Sequence, residues 1–268
     1  LGTLTFNSTA GAYTLAANSG SAGYDAASAM TLLGDIVNNS SNTQTINLAL
    51  TSSATRVYDA AAGNITISGS IAGNGGLTKN GSNTVTLSAN NTYTGVTTIN
   101  TGTVEITTTG LLGGGNYSGN IVNNGAFIFG SKSNQTLSGA ISGSGSLTKD
   151  GSATLNLASG SSISLSNTNI KSGVLVLQTG GQIYNGINLN VGYTSGDNAT
   201  FNLAGGNVTG GWGVIGFGSG STGTANVSAG TWSSSIELVT GQNGNGTLNI
   251  TGGNITTQTG ILAYFSDG

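Results

Sequence analysis

The chain has 268 residues, of which 48 are glycine, 5% are charged and none is proline, cysteine or histidine. Its formal net charge is −3 and its five basic residues are scattered, so no basic stripe is available to neutralise nucleic-acid phosphates. The absence of cysteine excludes disulfides and thiolate metal sites. The sequence contains no run of about 20 apolar residues, so it predicts no membrane-spanning helix.

Threonine, serine and asparagine take the place of charged residues. They are poor helix formers, because their side chains compete for backbone hydrogen bonds. Threonine favours strands, whereas asparagine and glycine favour turns. The chain is also 36% hydrophobic, with the apolar residues in regular short runs. The composition therefore predicts a folded chain of many short strands rather than a disordered one.

Residues 1–64 have this same composition, with short apolar runs among threonine, serine, asparagine and glycine. A long repeat follows them. The segment 67–87 contains Gly-Gly-Leu-Thr-Lys-Asn-Gly, and the segment 137–157 repeats its pattern with Gly-Ser-Leu-Thr-Lys-Asp-Gly. A shorter echo pairs residues 35–39 with residues 120–124. The two long copies align Leu77 with Leu147 and Lys79 with Lys149.

A second repeat occupies the C-terminal third of the chain. Copies begin at Thr200, Thr224 and Thr247, so their spacing is nearly constant. Within the first copy, Phe201 and Leu203 alternate with polar residues, as expected for a strand with one apolar face. A sequence period of about 23–24 residues points to a repeat fold.

The repeat length corresponds to one coil of a β-solenoid, at about 20–24 residues with two or three strands per coil. Coils stacked about 4.8 Å apart bury a continuous core that no single coil could form. We therefore predict an all-β, right-handed parallel β-helix of about a dozen coils. Residues 1–177 would carry the first repeat type and residues 178–268 the second. A β-sandwich needs no repeat, and a propeller blade takes about 40 or more residues.

The repeat offsets predict which apolar side chains stack in the core. We expect three buried columns, each with one residue from each of three successive coils. They are Leu203, Val227 and Ile250; Val208, Trp232 and Ile255; and Leu137, Leu157 and Leu177.

Asparagines alternate with the apolar residues of the C-terminal copies. Asn202, Asn226 and Asn249 recur at the coil period, so we expect an outward row with about 4.8 Å between neighbours. Amides at that spacing form hydrogen-bonded ladders in cross-β assemblies. Three aromatic residues, Tyr193, Phe217 and Tyr264, also recur at coil spacing. They suit either an exposed sugar-binding row or core packing, and we favour the core.

The segment 73–104 resembles the passenger-associated transport repeat of bacterial autotransporters. The resemblance rests on the Gly-rich turn, Leu77-Thr-Lys79-Asn-Gly81, the Thr-rich strand and Asn91-Thr-Tyr93-Thr-Gly95. The copy at 143–177 keeps only the first half of this pattern. The C-terminal copies resemble a second repeat of the same class of exported proteins.

This resemblance implies a β-solenoid exported across the outer membrane to the bacterial cell surface. Export would proceed through a C-terminal β-barrel, so the chain would contact a membrane only through such a barrel or an anchor outside it. The chain starts without methionine and stops within a pattern, which we interpret as part of a longer polypeptide. The implied role is an adhesin, a spacer or a self-associating fibre. The expected partners are glycans or proteins of a host or neighbouring cell, or other copies of the chain, and not nucleic acid.

The acidic residues offer little for catalysis. A glycosidase or lyase on this fold would need paired carboxylates. Only Glu105 and Glu237 lie in strand-like runs, and the other acids are isolated. We expect no catalytic residue, cofactor or metal site, and no enzyme activity. Carbohydrate binding or cleavage is the alternative function. Thr-x-Thr pairs such as the one at Thr84 suggest an ice-binding surface, but they do not recur at coil spacing.

Overall fold

The computed structural model describes residues 1–17 and 29–262. Within these ranges the chain winds into a parallel β-solenoid of about ten coils, somewhat fewer than the predicted dozen. At about 4.8 Å per coil, the stack is about 50 Å long. The described residues contain one short 3₁₀ turn, Gly113–Gly115, and no helix long and apolar enough to cross a membrane.

In the first part of the chain the strands are short and are separated by tight turns. They are β1 (Leu4–Phe6), β2 (Thr14–Ala16), β3 (Met30–Thr31), β4 (Ile36–Asn38), β5 (Gln44–Asn47), β6 (Leu50–Thr51), β7 (Arg56–Asp59), β8 (Ile65–Ile67), β9 (Ile71–Ala72), β10 (Leu77–Asn80), β11 (Thr84–Leu87), β12 (Thr97–Ile99) and β13 (Thr103–Ile106).

The later strands stay short up to β20 and are longer from β21 onwards, because there the chain keeps strand pairing as it turns the corners of the coil. They are β14 (Asn116–Tyr117), β15 (Ile121–Asn123), β16 (Ala126–Phe129), β17 (Gln135–Leu137), β18 (Ala140–Ser142), β19 (Ser146–Lys149), β20 (Thr154–Leu157), β21 (Ser162–Ile170), β22 (Ser172–Gln178), β23 (Gln182–Val191), β24 (Asn198–Ile215), β25 (Thr222–Thr240), β26 (Asn245–Ile250) and β27 (Asn254–Leu262).

Strands pair in parallel with their counterparts one coil away. In the first repeat region Leu77 of β10 pairs with Thr97 of β12. In the C-terminal region Asn202 of β24 pairs with Asn226 of β25, so the coil there is slightly longer. The strand β22 crosses the boundary between residues 177 and 178 and pairs with both β20 and β24, so the stack continues through it.

The column that begins at Leu137 is longer than predicted. Leu137 pairs with Leu157, and Leu157 pairs with Leu177, all fully buried. Leu177 then pairs with Leu203, which stacks on Val227. Two of the three predicted columns are therefore one, and treating them as separate was wrong. The spacing along the sequence is longer from Leu177 to Leu203 than from Leu157 to Leu177. Because the spacing changes there, a constant sequence period does not reveal that the two columns are continuous.

The end of this column departs from the prediction in its burial. Ile250 pairs with Val227 in the predicted register, but its side chain is 57% exposed. The prediction that Ile250 is buried was wrong. The cause is stacking: β26 pairs with β25 on one side, and no strand of the described residues covers its other side.

The remaining column packs a large aromatic side chain inside the coil. Val208 pairs with Trp232, and both are 1% exposed, while Ile255 follows in register and packs partly buried against the core. The Trp232 ring meets Phe201 edge to face, with centroids 5.4 Å apart and an interplanar angle of 89°. This geometry suits the opposite partial charges of an aromatic face and edge.

Candidate functional site

Two lysines lie inside the solenoid rather than on its surface. In Leu77-Thr-Lys79 the lysine shares a strand face with the leucine, because side chains two residues apart point the same way. Lys79 is paired between Tyr58 and Ile99 of the neighbouring coils and is fully buried. Lys149 occupies the same place in the second copy, and it too is fully buried.

Each buried ammonium donates hydrogen bonds to backbone carbonyls of two successive turns. Lys79 Nζ donates to Asn80 O and Gly81 O, each 2.6 Å away, and to Thr101 O of the next coil at 3.2 Å. In the second copy, Lys149 Nζ donates to Gly151 O, and to Ser172 O of the next coil at 3.0 Å. Hydrogen bonds to a charged donor are about twice as strong as neutral ones, so each lysine ties two coils together.

A glycine of the next coil leaves room for each ammonium. A Cβ on Gly102 would lie 2.7 Å from Lys79 Nζ, and a Cβ on Gly173 would lie 2.9 Å from Lys149 Nζ. Both glycines have a φ of +69°, a conformation that other residues adopt at a steric cost. The lysine and the later glycine therefore form one structural unit.

Burial lowers the pKa of both lysines. The pKa of Lys79 falls to about 8, against a smaller opposing effect of the Asp59 charge. The pKa of Lys149 also falls to about 8, with Asp150 opposing the shift. The ammonium of Lys149 lies 5.7 Å from the centroid of the Phe129 ring, where the ring face attracts a cation.

The Asn91-Thr-Tyr93-Thr-Gly95 segment forms a second buried cluster. Asn91 accepts a hydrogen bond from Ile71 N at 2.9 Å and donates to Ala89 O and Leu111 O. It therefore replaces strand pairing where the chain turns a corner. The copy at 143–177 lacks this segment, and there the strand β21 runs through the corresponding corner.

A hydroxyl relay joins this segment to the following coil. Tyr93 Oη and Thr97 Oγ1 are 2.7 Å apart, and Thr97 Oγ1 and Tyr117 Oη are 2.9 Å apart. The two tyrosine rings meet edge to face at 5.7 Å. Burial raises the pKa of both phenols, and raises that of Tyr93 well above its ordinary value.

The predicted asparagine row is a hydrogen-bonded ladder in the structure. Asn226 Nδ2 donates to Asn202 Oδ1 at 2.8 Å, and Asn249 Nδ2 donates to Asn226 Oδ1 at 2.8 Å. Both bonds run in the same sense, from the later coil to the earlier one. On the N-terminal side the row stops, because Asn202 pairs with Val176.

A second, shorter ladder lies on another face. Asn190 Nδ2 donates to Asn169 Oδ1 at 2.8 Å, and Asn190 is only 2% exposed. The Asn190 Oδ1 atom is buried and has no hydrogen-bond partner. Because the amide nitrogen is engaged by the earlier coil, the oxygen faces the later coil, where the register places Val214 instead of a donor.

The aromatic residues at coil spacing do not lie in the core. The rings of Tyr193 and Phe217 stack with centroids 5.5 Å apart and planes inclined by 20°. Both side chains are half-buried, on the turns that follow β23 and β24, and neither belongs to the core cluster. The preference for core packing was therefore wrong for these two residues. Tyr264 lies outside the described residues.

A groove of about 220 Å³ runs beside this aromatic stack. One wall is the row Asn188, Trp212 and Glu237, which occupy matching positions in three successive coils. The floor is the parallel row Asn190, Val214 and Val239, whose side chains are buried although they alternate with the core residues. Phe217 and Gln242, from the following turns, form the opposite wall.

Glu105 and Glu237, the two carboxylates expected on strands, are far apart. Asp59 also lies on a strand, at the end of β7, which the sequence pattern did not predict. Glu105 pairs with Ile128, and six pairings along this row lead to Val239, two residues beyond Glu237. Six coils correspond to about 29 Å, whereas paired glycosidase carboxylates are about 5–9.5 Å apart. In the described part of the chain, no three acidic side chains gather where a metal ion could bind.

Sequence reasoning placed the asparagine row but missed three features: the buried lysines, the hydroxyl relay and the groove. The burial of the lysines could have been predicted, since Lys79 and Lys149 each follow a core leucine by two residues and so share its strand face. No sequence pattern predicts the groove, because it depends on how Phe217 and Gln242 fold back beside a strand face.

The comparisons with known proteins agree with the repeat units described above. The family model of the passenger-associated transport repeat matches residues 77–106 and 147–177. Both matches begin at the leucine that precedes a buried lysine, and they include Gly102 and Gly173. No curated protein and no solved structure matches the chain. The chain therefore carries autotransporter passenger repeats.

Proposed function

We propose that this chain is a rod segment of an exported autotransporter passenger, located at the bacterial cell surface or outside the cell. The observation that carries the proposal is the pair of passenger-associated transport repeats, each built around a lysine that bridges two coils. The rod winds right-handed, as parallel crossovers do in about 98% of cases. Its role is to space or display an adhesive surface.

The polar chemistry of the rod supports this role. Lysine bridges, asparagine ladders and a hydroxyl relay hold the coils together without disulfides. A chain without cysteine can cross a membrane unfolded and then fold without a crosslinking step. The wide separation of Glu105 and Glu237 supports a role without catalysis.

Export is tested by fusing the chain to the translocator domain of an autotransporter and expressing it in intact cells. We expect the chain to become accessible to added protease and antibody at the cell surface. Lys79→Met combined with Lys149→Met should raise protease sensitivity, because it removes both bridges. The exposed Lys132 provides the matched control, Lys132→Met. A chain that stays inside the cell while a known passenger is exported would contradict the proposal.

Self-association is a second candidate role, and an exposed apolar ridge favours it. Ile187, Trp212 and Ile236 are all exposed at one corner of three successive coils. Monomeric proteins rarely display large contiguous apolar patches. Sedimentation at increasing protein concentration should show oligomers that Ile187→Asp with Ile236→Asp abolishes. A wild-type chain that remains monomeric at all concentrations would remove this second role.

A further inference from the structure

The groove between Trp212 and Phe217 combines an apolar floor, aromatic walls and a few polar groups, the general composition of a ligand site. Its volume of about 220 Å³ is below the range of about 300–1,000 Å³ of pockets that enclose drug-sized ligands. The groove therefore suits one ring-sized unit of a longer molecule that continues into solvent.

Trp212 provides the exposed surface of this groove. Its side chain is 37% exposed, although it lies on a strand between Asn188 and Glu237 of the neighbouring coils. Aromatic side chains expose a flat apolar face, and the C–H face of a pyranose ring packs against such a face. The register keeps a carboxylate and an amide directly on either side of the indole.

The floor contains an unused hydrogen-bond acceptor. Asn190 is almost fully buried, its amide nitrogen is bound to Asn169, and its oxygen has no partner. The neighbouring side chains cover this oxygen, so it closes the floor, and a ligand in the groove meets the apolar side chains of Val214 and Val239 instead.

The remaining polar groups select a neutral ligand with hydroxyl groups. The amides of Asn188 and Gln242 offer both donors and acceptors, and Glu237 is the one carboxylate among the lining residues. A hydroxyl group can donate and accept, so it matches both kinds of partner. An ammonium only donates, which would leave the amide N–H groups of the groove unpaired.

We propose that this groove binds one pyranose ring of a neutral glycan, with Trp212 against the ring face and Glu237 accepting a hydroxyl hydrogen bond. The site is independent of export, because binding is measured on the purified chain. A failure of binding leaves the rod proposal standing, and a failure of export leaves the groove proposal standing.

The test titrates the purified chain with oligosaccharides of glucose, galactose, mannose and N-acetylglucosamine, and with choline and a lysine peptide as cationic probes. The chain has two tryptophans, and Trp232 is buried, so a change in fluorescence reports Trp212. Calorimetry gives the affinity independently. We expect at least one neutral oligosaccharide to bind, with little change in affinity between about 0.05 and 0.5 M salt.

Three variants locate the binding. Trp212→Ala should weaken saccharide binding by about tenfold or more, because it removes the aromatic face. Glu237→Gln should weaken it severalfold, because a neutral amide oxygen replaces a charged acceptor. Tyr184→Ala is the matched control, because it removes an exposed aromatic side chain outside this groove and should leave the affinity unchanged. Circular dichroism checks that every variant keeps the fold.

Each of three results would overturn the proposal. The first is that no neutral oligosaccharide binds the wild-type chain. The second is that Tyr184→Ala and Trp212→Ala weaken binding equally, which places the ligand elsewhere. The third is that choline or the lysine peptide binds, loses affinity in salt and in Glu237→Gln, and neutral sugars do not bind. That third result would identify a cation site.

Discussion

The ammonium of Lys79 donates a hydrogen bond to the carbonyl oxygen of Thr101, which lies one coil further along the chain. The same contact joins Lys149 to Ser172 in the second repeat. These bonds explain why the repeat places a lysine between core residues. The side chain fills the interior with its stem, and its ammonium ends on backbone carbonyls of two neighbouring corners.

At pH 9, above the folded pKa of about 8, Lys79→Met should destabilise the rod by about 1–3 kcal/mol. The neutral amine still has two N–H donors that methionine lacks, and each net hydrogen bond contributes about 0.5–1.5 kcal/mol. Urea unfolding followed by circular dichroism measures the change. Lys132→Met, at an exposed lysine, should stay within about 0.5 kcal/mol. A Lys79→Met variant as stable as the wild type would show that the bridge contributes nothing.

Stability should rise between about pH 8 and pH 10. The folded chain holds Lys79 and Lys149 at a pKa of about 8, against an ordinary value of 10.5. In this window the unfolded chain binds more protons than the folded chain, so raising the pH favours folding. This contribution is lost as the pH falls through 8. The urea midpoint should follow this rise in the wild type, and a flat profile would contradict the lysine shifts.

Above about pH 10 the trend should reverse. Burial raises the pKa of Tyr58, Tyr93 and Tyr117 above the ordinary value of 10.0. The unfolded chain then releases phenolic protons that the folded chain retains, so stability falls. In the double variant Lys79→Met with Lys149→Met, the rise below pH 10 should disappear while the alkaline fall remains.

Leu203→Ala should cost about 2–5 kcal/mol, because it leaves a cavity in the continuous leucine column. Hydrogen exchange should show the loss of protection mainly in β22, β24 and β25, since a solenoid coil contacts only its neighbours. Ile250→Ala is the matched control in the same column, and its exposed side chain predicts a change below about 0.5 kcal/mol. Equal effects of the two substitutions would contradict this assignment of burial.

Asn226→Ala should destabilise the C-terminal coils about twice as much as Asn249→Ala, because Asn226 makes two ladder hydrogen bonds and Asn249 makes one. Each net hydrogen bond contributes about 0.5–1.5 kcal/mol. Thermal and urea unfolding of both variants measure the ratio. If the two substitutions had the same small effect, the ladder would be an ordinary solvated row.

Much of the fold follows from sequence periodicity. The nearly constant spacing of the C-terminal copies gives the pairing of Asn202, Asn226 and Asn249, because alternation fixes which residues face outward. Burial at the end of the stack does not follow from alternation, as Ile250 shows. It depends on whether another coil covers the strand.

The candidate site follows less directly from sequence periodicity than the fold does. Tyr193 and Phe217 recur at coil spacing whether they point inward or outward, and the turns after β23 and β24 place them on the surface. The unpaired oxygen of Asn190 arises from a register in which Val214 follows two asparagines. That register crosses an irregularity between Tyr184 and Asn188, which periodicity does not locate.

The asparagine ladder has a direction, and this direction bears on how such a rod can change length. The amide of Asn226 donates to the coil before it and accepts from the coil after it. A duplicated coil inserted within this row would find an acceptor on one side and a donor on the other. Gene duplication of whole coils would therefore extend the molecule without a new interface, and the deletion of one coil would shorten it equally cleanly.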